Sequence, residues 1–493
     1  MHFDNKSQGL FTSGVKQPTI IRFSVIILMT RISGLLSAIL GVFGVVMATF
    51  PLQFPQWPFT AIPQAPEKGQ QVNRNTPESL GIDSVQQHSG YIHLNGLDRH
   101  LFYWMFESRN DPATDPVVLW LSGGPGTSSL GSMLLELGPS TLNSLLQPVH
   151  NPYSWNSNAT VIFLDLPVGV GYSYSDSSRV SSTVDAAKDI YQFLESFFDE
   201  FPRFRNNSFH IASESYGGHY VPAVATEIVS HRERSFELLS ILIGNAYIDP
   251  ILHYRSFKKM ACDDESNHLD IDQQVCDNVE RSIPACEALE QVCYKTPTAL
   301  SCVEARKYCQ SNVLQPFVDA GVNVFDIRKQ FNNDSMADTR YLEEYLRSRE
   351  VMNAVGAKVD NFTRFSDDVI AGFAATGDEA KQFKSNIDEV LNYGISVLIY
   401  AGDKDFICNW ISLFDIVNSM GYNYHKRFER AKLQPWYTTN GTFAGQIKNS
   451  GNFTFLKLFD APHQAPREQP QVCLDMVNRW LQGDYSLGYE PSF

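Results

Sequence analysis

The sequence predicts an α/β fold in which a mixed, mostly parallel sheet is flanked by helices. Short apolar segments bounded by glycine or proline recur along the chain, as in residues 117–121, 161–165 and 397–402. Apolar residues at helical spacing lie between such segments, most clearly in residues 186–201. Short buried strands that alternate with helices are typical of a parallel sheet with crossover helices.

Further strands are predicted where aromatic and β-branched residues stand between turn signals. These segments are residues 91–94, 100–106, 208–212 and 239–244. The chain has 493 residues, which is enough for one large domain with insertions or for two or three smaller domains.

Composition divides the chain after its N-terminal segment into a linker, a core and an insertion. Residues 51–84 begin with a run rich in proline and glutamine, which indicates a linker or a short pro-segment. The predicted strands assign residues 85–250 and 385–493 to the α/β core. Residues 251–384 interrupt the strand pattern with charged, helical sequence and hold six of the eight cysteines. This part is therefore predicted to be a helical, disulfide-rich insertion that caps the sheet.

The N-terminal segment, residues 1–50, has the character of a targeting sequence. An uncharged apolar run at residues 32–50 follows four basic residues, Lys6, Lys16, Arg22 and Arg31. Its length lies between that of a signal peptide and that of a short membrane span. We favour a cleaved signal, which could start at Met29, over an uncleaved anchor with the rest of the chain outside.

Charge and cysteine usage both bear on the compartment. The formal net charge of −15 argues against nucleic acid or an anionic membrane as the main partner, and it suits mildly acidic surroundings. Six cysteines lie between Cys262 and Cys309, while Cys408 and Cys473 are isolated. Without C-x-x-C pairs or a zinc-type histidine pattern, disulfides are favoured over metal. Glycosylation in the secretory pathway is predicted at six N-x-S/T sequons, Asn158, Asn206, Asn333, Asn361, Asn440 and Asn452.

A nucleophile is predicted in the segment SESYGGHY, which follows a strand and begins a helix. Strand, tight turn and helix are the context in which an α/β-hydrolase exposes its nucleophilic serine, here Ser215. Glycine is usual two residues before the nucleophile, but Ser213 stands there instead. The motif alone would fit an ordinary turn between a strand and a helix. Its assignment as a nucleophile therefore depends on whether a base, an acid and an oxyanion hole are also present.

A serine nucleophile needs a base and an orienting acid, which follow it in that fold in the order Ser, acid, His. Asp403 and Asp405 come directly after the strand at 397–402, and His463 lies in a later turn-rich loop. An oxyanion hole is also required. The loop at Gly123 and Gly124 follows a strand, and it lacks the Gly-Lys-Ser/Thr end of a phosphate loop. We assign the oxyanion donors to the N–H groups of Gly124 and Tyr216.

Several long stretches resemble the serine carboxypeptidase family over residues 85–490. They read FESRNDPATDPVVLWLSGGPGTSSL, ELGPS, NPYSWNSNATVIFLDLPVGVGYSYS, SESYGGHYVPA, VLIYAGDKDFICNW and APHQAPREQP. The resemblance implies an α/β-hydrolase fold in which Ser215 is the nucleophile and His463 the base. It also implies that Asp405, rather than Asp403, is the acid.

The resemblance also implies a site for the free carboxylate of a substrate's last residue. Two glutamic acids that share a proton, here Glu136 and Glu214, would form it together with Trp120, Gly123 and residue 122. Carboxyl groups held together cannot both ionise cheaply, which predicts a raised pKa and binding at acidic pH. The family has asparagine where this chain has Ser122, so we expect weaker or altered recognition of the carboxylate.

Other departures from the family lie near this site. Thr127 and Phe365 stand where the family forms a disulfide, and Pro462 and Gln464 replace glycine and methionine. We expect Gln464 to border the pocket for the leaving residue and to make it more polar. Cys408 corresponds to a free cysteine near the pocket, which could react with mercurials or be a simple buried thiol. The family's disulfide pattern implies the pairs Cys262–Cys276, Cys286–Cys309 and Cys293–Cys302.

These features predict a serine-type carboxypeptidase that forms an acyl-enzyme and works at acidic pH. The alternatives are an acyltransferase on the same scaffold and a non-catalytic binding partner. We expect a secreted or vacuolar monomer that acts on peptides or proteins with a free C-terminus. Neither metal nor organic cofactor nor nucleic acid is implied, and membrane contact is expected only if the N-terminal segment stays uncleaved.

Overall fold

An eleven-stranded sheet runs through the part of the chain that this computed structural model describes, residues 72–75, 77–264, 269–330 and 337–490. The predicted targeting segment and the sequon at Asn333 lie outside these residues. The strands are β1 (Val72–Asn75), β2 (Gln87–His93), β3 (His100–Phe106), β4 (Val117–Leu121), β5 (Ser140–Leu142), β6 (Pro148–His150), β7 (Thr160–Leu164), β8 (Phe209–Ser215), β9 (Leu238–Ala246), β10 (Ser396–Gly402), β11 (Gln434–Tyr437), β12 (Phe443–Ser450) and β13 (Phe453–Leu458).

The strand order is β1-β2-β3-β7-β4-β8-β9-β10-β13-β12-β11, and β5 pairs with β6 in a separate small sheet. The six central strands from β7 to β13 are mutually parallel, while β1 to β3 and β11 to β12 join them in antiparallel pairs. The prediction of a mixed, mostly parallel sheet is therefore confirmed.

Fifteen α-helices accompany the sheet in the described residues. They are α1 (Ser129–Leu135), α2 (Thr183–Glu200), α3 (Gly217–Ser230), α4 (Pro250–Lys258), α5 (Gln273–Lys295), α6 (Ala299–Cys309), α7 (Gln315–Asp319), α8 (Ala337–Arg347), α9 (Arg349–Val355), α10 (Asp367–Thr376), α11 (Lys384–Asn392), α12 (Trp410–Asn418), α13 (His425–Arg430), α14 (Ala465–Glu468) and α15 (Pro470–Leu481).

Two apolar clusters fill the space between the sheet and its helices. Alternate residues of a strand belong to different clusters, so that Leu119 faces one layer while Val118 and Trp120 face the other. One cluster takes in α2, α3, α11 and α12, and the other takes in α1, α9 and α15. Both faces of the central strands are thus buried, as their continuous apolar sequence requires.

The helical insertion is more divided than the prediction of one cap over residues 251–384. Helices α4, α5, α6 and α7 have an apolar cluster of their own, and the three disulfides lie within this part. Residues of α8 and α9 pack instead into one sheet layer, and residues of α10 pack into the other. Only the first part of the insertion is therefore a separate cap; the later helices complete the layers over the sheet.

The folded part also begins earlier than the predicted boundary at residue 85. Strand β1 pairs antiparallel with β2, and a 3-10 helix follows at Pro77–Leu80. Asn75 anchors β1 by donating to the backbone oxygen of Val355 over 3.2 Å. This strand is short, polar and at the sheet edge, so it lacks the apolar signal by which strands β2, β3, β4, β7, β8, β9 and β10 were predicted.

Candidate active site

Ser215 ends β8 and lies immediately before α3, in the turn that the motif predicts. Its φ of 58° is a left-handed conformation that costs a non-glycine residue energy and is characteristic of strained functional turns. A Cβ at Gly217 would lie 1.6 Å from the Ser213 hydroxyl, and a Cβ at Gly218 would lie 2.4 Å from the Tyr247 carbonyl oxygen. Both glycines are therefore required for the helix to start so close to the sheet.

The departure at Ser213 is accommodated within the sheet. Its hydroxyl is buried and donates to the carbonyl oxygen of Leu121, which is paired with Ser213 across β4 and β8. The extra oxygen is thus satisfied locally, and the space that it occupies is left free by Gly217. The serine in place of glycine leaves the turn intact.

His463 and Asp405 are bonded to each other near this turn, since Asp405 also contacts Asn245, the neighbour of the residue paired with Ser215. The Nδ1 of His463 donates to Asp405 Oδ2 over 2.8 Å, and Asp405 is fully buried. Asp405 also accepts from the Asn245 side chain at 2.8 Å and from the backbone N–H of Cys408 at 3.3 Å. Asp403 forms an ion pair with Lys404 instead, at 3.2 Å.

The environment of His463 favours its protonated form. Burial opposes the positive charge, but the neighbouring carboxylate of Asp405 outweighs burial, so the pKa of His463 is raised. An imidazole oriented through Nδ1 presents its other ring nitrogen as a proton acceptor. This arrangement matches the base and orienting acid of a serine hydrolase.

A segment of the cap is bonded to the loop of Asp405 and to the loop of His463, which the sequence did not reveal. The backbone oxygen of Val324 accepts from the N–H groups of Phe406 and Ile407, at 3.1 and 2.9 Å. The backbone oxygen of Phe325 accepts from the N–H of His463 at 2.9 Å, and the two rings lie 5.2 Å apart. The loop of the acid and the loop of the base are therefore fixed to one short stretch of backbone.

The glycine-rich loop lies directly against the predicted nucleophile. A Cβ at Gly123 would lie 2.6 Å from the Tyr216 backbone nitrogen and 2.8 Å from the Ser215 Cβ. Gly124 has a φ of 114°, which favours glycine. The start of the loop is bonded to α1, since the Ser129 hydroxyl accepts from the N–H of Ser122 at 3.0 Å. The two predicted oxyanion donors thus belong to adjoining segments.

Glu136 and Glu214 form a buried pair of carboxyl groups. Glu136 caps the C-terminal end of α1, and Glu214 immediately precedes the nucleophile. Burial raises the pKa of both, and the charge of Glu136 raises that of Glu214 further. The Oε2 atom of each is buried without a hydrogen-bond donor among the described residues. A proton shared between the two carboxyl groups would supply a donor for these oxygens.

Hydrogen bonds join Ser122 to a serine that acts on this pair. The indole Nε1 of Trp120 donates to the Ser122 hydroxyl at 3.4 Å, and the Ser122 and Ser132 hydroxyls lie 2.9 Å apart. Ser132 lowers the pKa of Glu136 against the effect of burial. Ser122 is therefore bonded to a neighbour of Glu136, Ser132, which the sequence did not single out.

Gln464 does more than border the pocket, because its side chain is bonded to one acid of the carboxyl pair. Its side-chain Nε2 donates to Glu136 Oε1 over 2.7 Å. This bond favours the charged form of Glu136 and so opposes the effect of burial on its pKa. An amide here therefore influences the protonation of the pair, an effect that an apolar side chain could not have.

The remaining predicted residues have distinct environments. Cys408 is buried, and burial raises the pKa of its thiol well above the ordinary value, which disfavours the reactive thiolate. Its sulfur lies within 4.8 Å of a carboxylate oxygen of Asp405 and of a ring nitrogen of His463.

The disulfides agree with the family pattern, and the position of the missing one is closed by backbone pairing. Thr127 and Phe365 face each other in an isolated antiparallel bridge. The structure contains the disulfides Cys262–Cys276, Cys286–Cys309 and Cys293–Cys302, the pairs that the resemblance implies.

The sequons in the described residues are not equally suited to carry a glycan. Asn206, Asn361 and Asn440 are exposed, and Asn158 is partly exposed. Asn452 instead donates from Nδ2 to two backbone oxygens, at 3.3 and 3.0 Å. Both amide hydrogens are engaged there, so attachment of a sugar would disrupt the bonds.

Comparison with known proteins gives consistent matches. The family profile described as serine carboxypeptidase matches residues 77–483. A vacuolar serine-type carboxypeptidase of Saccharomyces cerevisiae is 46% identical over 415 residues, which cover 83% of this chain and 81% of that protein. Carboxypeptidase Y of the same yeast is 44% identical, with 87% of this chain and 82% of that protein covered.

A solved structure is similar in fold. It is that of a prohormone-processing carboxypeptidase from Saccharomyces cerevisiae, with a TM-score of 0.70 and 24% sequence identity. The match covers 83% of this chain and 95% of that one. The fold of this chain thus has a counterpart in an experimental structure.

Proposed function

The chain belongs to the serine carboxypeptidase family, and on this premise we propose that Ser215, His463 and Asp405 release the C-terminal residue of peptides and proteins. A serine-type peptidase needs an activated hydroxyl, and this family's members also act at a free C-terminus. The observation that carries the proposal is the buried Glu136–Glu214 pair immediately beside Ser215.

The proposed reaction begins with attack by the Ser215 Oγ on the carbonyl carbon of the last peptide bond. The hydroxyl proton passes to Nε2 of His463, while Asp405 holds Nδ1 and stabilises the imidazolium. The oxyanion is bound by the N–H groups of Gly124 and Tyr216. The proton then goes to the nitrogen of the leaving residue, the C–N bond breaks and an ester of Ser215 remains. Water hydrolyses that ester with the same base.

The carboxyl pair explains why the enzyme would act at the end of a chain. At acidic pH, a pair with one proton can donate to the carboxylate of the substrate's last residue, together with Ser122, Gly123 and Trp120. Once both acids are ionised, they repel that carboxylate. The raised pKa of each acid keeps the pair protonated over a wider pH range than ordinary glutamates.

Hydrolysis of an N-blocked dipeptide at acidic pH, compared with that of its C-terminal amide, tests this function. We expect release of the last residue from the free acid and none from the amide, and no turnover or active-serine phosphonate labelling of Ser215→Ala. A control variant, Ser230→Ala, changes a serine at the far end of α3 and should keep both activities. Transfer of the acyl group to an added alcohol without hydrolysis would support the acyltransferase alternative. Hydrolysis by Ser215→Ala at the wild-type rate would contradict the proposal.

We further propose that the enzyme works in the secretory pathway, either secreted or vacuolar. The targeting character of the N-terminal segment, the three disulfides and the exposed sequons support this assignment. One of the relatives is named as vacuolar. In the part of the chain described here, no helix is long and apolar enough to cross a membrane. N-terminal sequencing of the purified protein would show whether the leading segment is removed.

A further inference from the structure

Arg364 is a buried cation whose hydrogen-bonding capacity is not fully used. Its side chain belongs to a residue that is only 8% exposed. The Nε and Nη1 atoms are buried and have no hydrogen-bond partner among the described residues. The guanidinium lies over the Phe365 ring at 4.6 Å, a contact that satisfies none of its N–H groups. Native proteins rarely leave such donors without an acceptor, because an unpaired buried charge is costly.

The backbone around Arg364 is fixed to the glycine-rich loop. The N–H of Ser128 donates to the Arg364 carbonyl oxygen at 2.9 Å, and the N–H of Ser366 donates to the Gly126 carbonyl oxygen at 3.0 Å. These bonds surround the Thr127–Phe365 bridge. The backbone of Arg364 is therefore bonded to Ser128, in the same loop as the proposed oxyanion donor Gly124.

The guanidinium lies beside α1, the helix that Glu136 caps at its C-terminal end. A Cβ at Gly131 of this helix would lie 3.7 Å from Arg364 Nε, an ordinary van der Waals distance. The charged groups that act on Arg364 are Glu343, Glu136 and Arg467.

Neither neighbouring acid is free to pair with Arg364. Glu343 is bound to Arg347 at 2.9 Å, and Glu136 accepts from Gln464 and belongs to the protonated pair. An additional carboxylate brought in by the substrate would supply the acceptors that Nε and Nη1 lack, in the two-bond geometry that arginine favours.

We propose that Arg364 binds a carboxylate of the residue that is released. Where the bound group is the side-chain carboxylate, peptides ending in Glu or Asp are preferred substrates. This inference rests on the proposed function, because it names the substrate class of the same site. The carboxylate has two possible sources, the side chain of the last residue and its α-carboxyl group. Both groups would make the same bonds to Arg364. If the side chain is bound, removal of the arginine lowers kcat/KM only for peptides that end in an acidic residue. If the α-carboxyl group is bound, it lowers kcat/KM for every peptide with a free C-terminus.

The test compares three N-blocked dipeptides that share the first residue and end in Glu, Gln or Leu. An N-blocked amino acid ester without a free carboxylate serves as a fourth substrate. Assays at about pH 6 keep a free Glu side chain ionised. For the wild type we expect higher kcat/KM with Glu than with Gln, and for Arg364→Met a fall of about 10- to 100-fold with Glu, the range for a bond to a charged group. Arg364→Lys should restore part of the activity with Glu.

The pattern across substrates identifies the bound group. A loss confined to Glu assigns Arg364 to the side-chain carboxylate, and an equal loss on all three dipeptides with unchanged ester hydrolysis assigns it to the α-carboxylate. Unchanged kcat/KM on every dipeptide in Arg364→Met overturns the inference. Arg364→Met could fail to fold, and the decision then rests on the wild type and on Arg364→Lys. The inference is overturned if the wild type releases Glu and Gln at equal rates and Arg364→Lys leaves all rates unchanged.

Two controls separate this inference from its premise. Arg205→Met removes a surface arginine that pairs with Asp199 and should leave all four rates unchanged. Active-serine labelling of each variant reports whether the catalytic residues are intact. Release of Leu by the wild type supports the proposed function whatever the result for Arg364, and failure to release Leu would count against that function itself.

Discussion

Gln464 donates its side-chain N–H to Glu136 Oε1 over 2.7 Å, so the residue that follows the base is bonded to the acid at the end of α1. This contact joins two parts of the site that are far apart in the sequence. The base and the carboxyl pair are thereby coupled through one amide, and the protonation of the pair depends on a residue of the histidine loop.

Replacing Gln464 should shift the pH dependence of peptide release. In Gln464→Met the hydrogen bond that favours ionised Glu136 is lost, so its pKa rises further. We expect the fall of kcat/KM on the alkaline side to move up by about one pH unit for a free-acid dipeptide, as for loss of one bond to a charged group. Gln469→Met is the matched control, because Gln469 donates to a backbone oxygen of Asp460. Superimposable profiles for Gln464→Met and wild type would contradict the coupling.

The pH profile should also depend on whether the substrate has a free carboxylate. The pKa values of Glu136 and Glu214 are raised, so peptide binding should be strong at low pH and be lost as pH rises through those values. The pKa of His463 is raised too, so the base should be lost as pH falls through that value. We therefore expect a bell-shaped kcat/KM for a dipeptide and only the acidic limb for an ester.

Glu214→Gln provides the complementary measurement. A neutral amide cannot ionise, so the alkaline limb with dipeptides should become flatter while the acidic limb set by His463 remains. KM for the ester should be little changed. An alkaline limb in Glu214→Gln as steep as that of wild type would show that another group controls it.

Asp405→Asn should remove most of the catalytic power without removing the fold. The bond to Nδ1 would no longer select the correct tautomer of His463 or stabilise its charge, which in a comparable triad costs about 10,000-fold in kcat. The rate of phosphonate labelling should fall in parallel. Asp403→Asn is the control, because Asp403 pairs with Lys404. Equal losses in the two variants would argue against Asp405 as the orienting acid.

The disulfides of the cap should contribute unequally to stability. Cys286 and Cys309 are separated by 23 residues in the sequence, and Cys293 and Cys302 by 9. Loop-closure entropy predicts that replacing the first pair by serine lowers the free energy of unfolding by about 3 kcal/mol, and the second by somewhat less. Urea titration of both double variants, followed by far-UV circular dichroism, measures the difference. A larger loss for the shorter loop would indicate that packing around Cys293 dominates.

The parts that the sequence predicted well are those with a strong local signal. Strand β4 was predicted at its observed bounds because an apolar run ends sharply at proline and glycine. Strands β1, β11 and β12 were missed, since they lie on the antiparallel flanks of the sheet and include many polar residues. Burial on one face is too weak a constraint to make such strands recognisable. The short strands β5 and β6 were missed as well. Strand β13 was also missed, although it is buried, parallel to β10 and largely apolar.

The proposed catalytic residues could be predicted from the sequence, whereas the residues that support them could not. Ser215 and the glycines around it occur in a compact motif, whereas Asn245 contacts Asp405 across 160 positions of the sequence. Arg364 and Ser132 likewise gain their meaning from neighbours that only the fold brings close. An isolated asparagine, arginine or serine has no local pattern, so these residues could be found only after the strands were in register.

The bonds from Val324 and Phe325 to the catalytic loops limit how this enzyme can be re-engineered. Insertions that cover an active site are attractive parts to exchange between related enzymes, because they are assumed to change specificity while the catalytic machinery stays untouched. Here a transplanted insertion would have to present two backbone oxygens at the same positions, or Asp405 and His463 would lose their common support. Chimaeras of this protein should therefore keep residues 322–327 from the host and exchange only the helices before them.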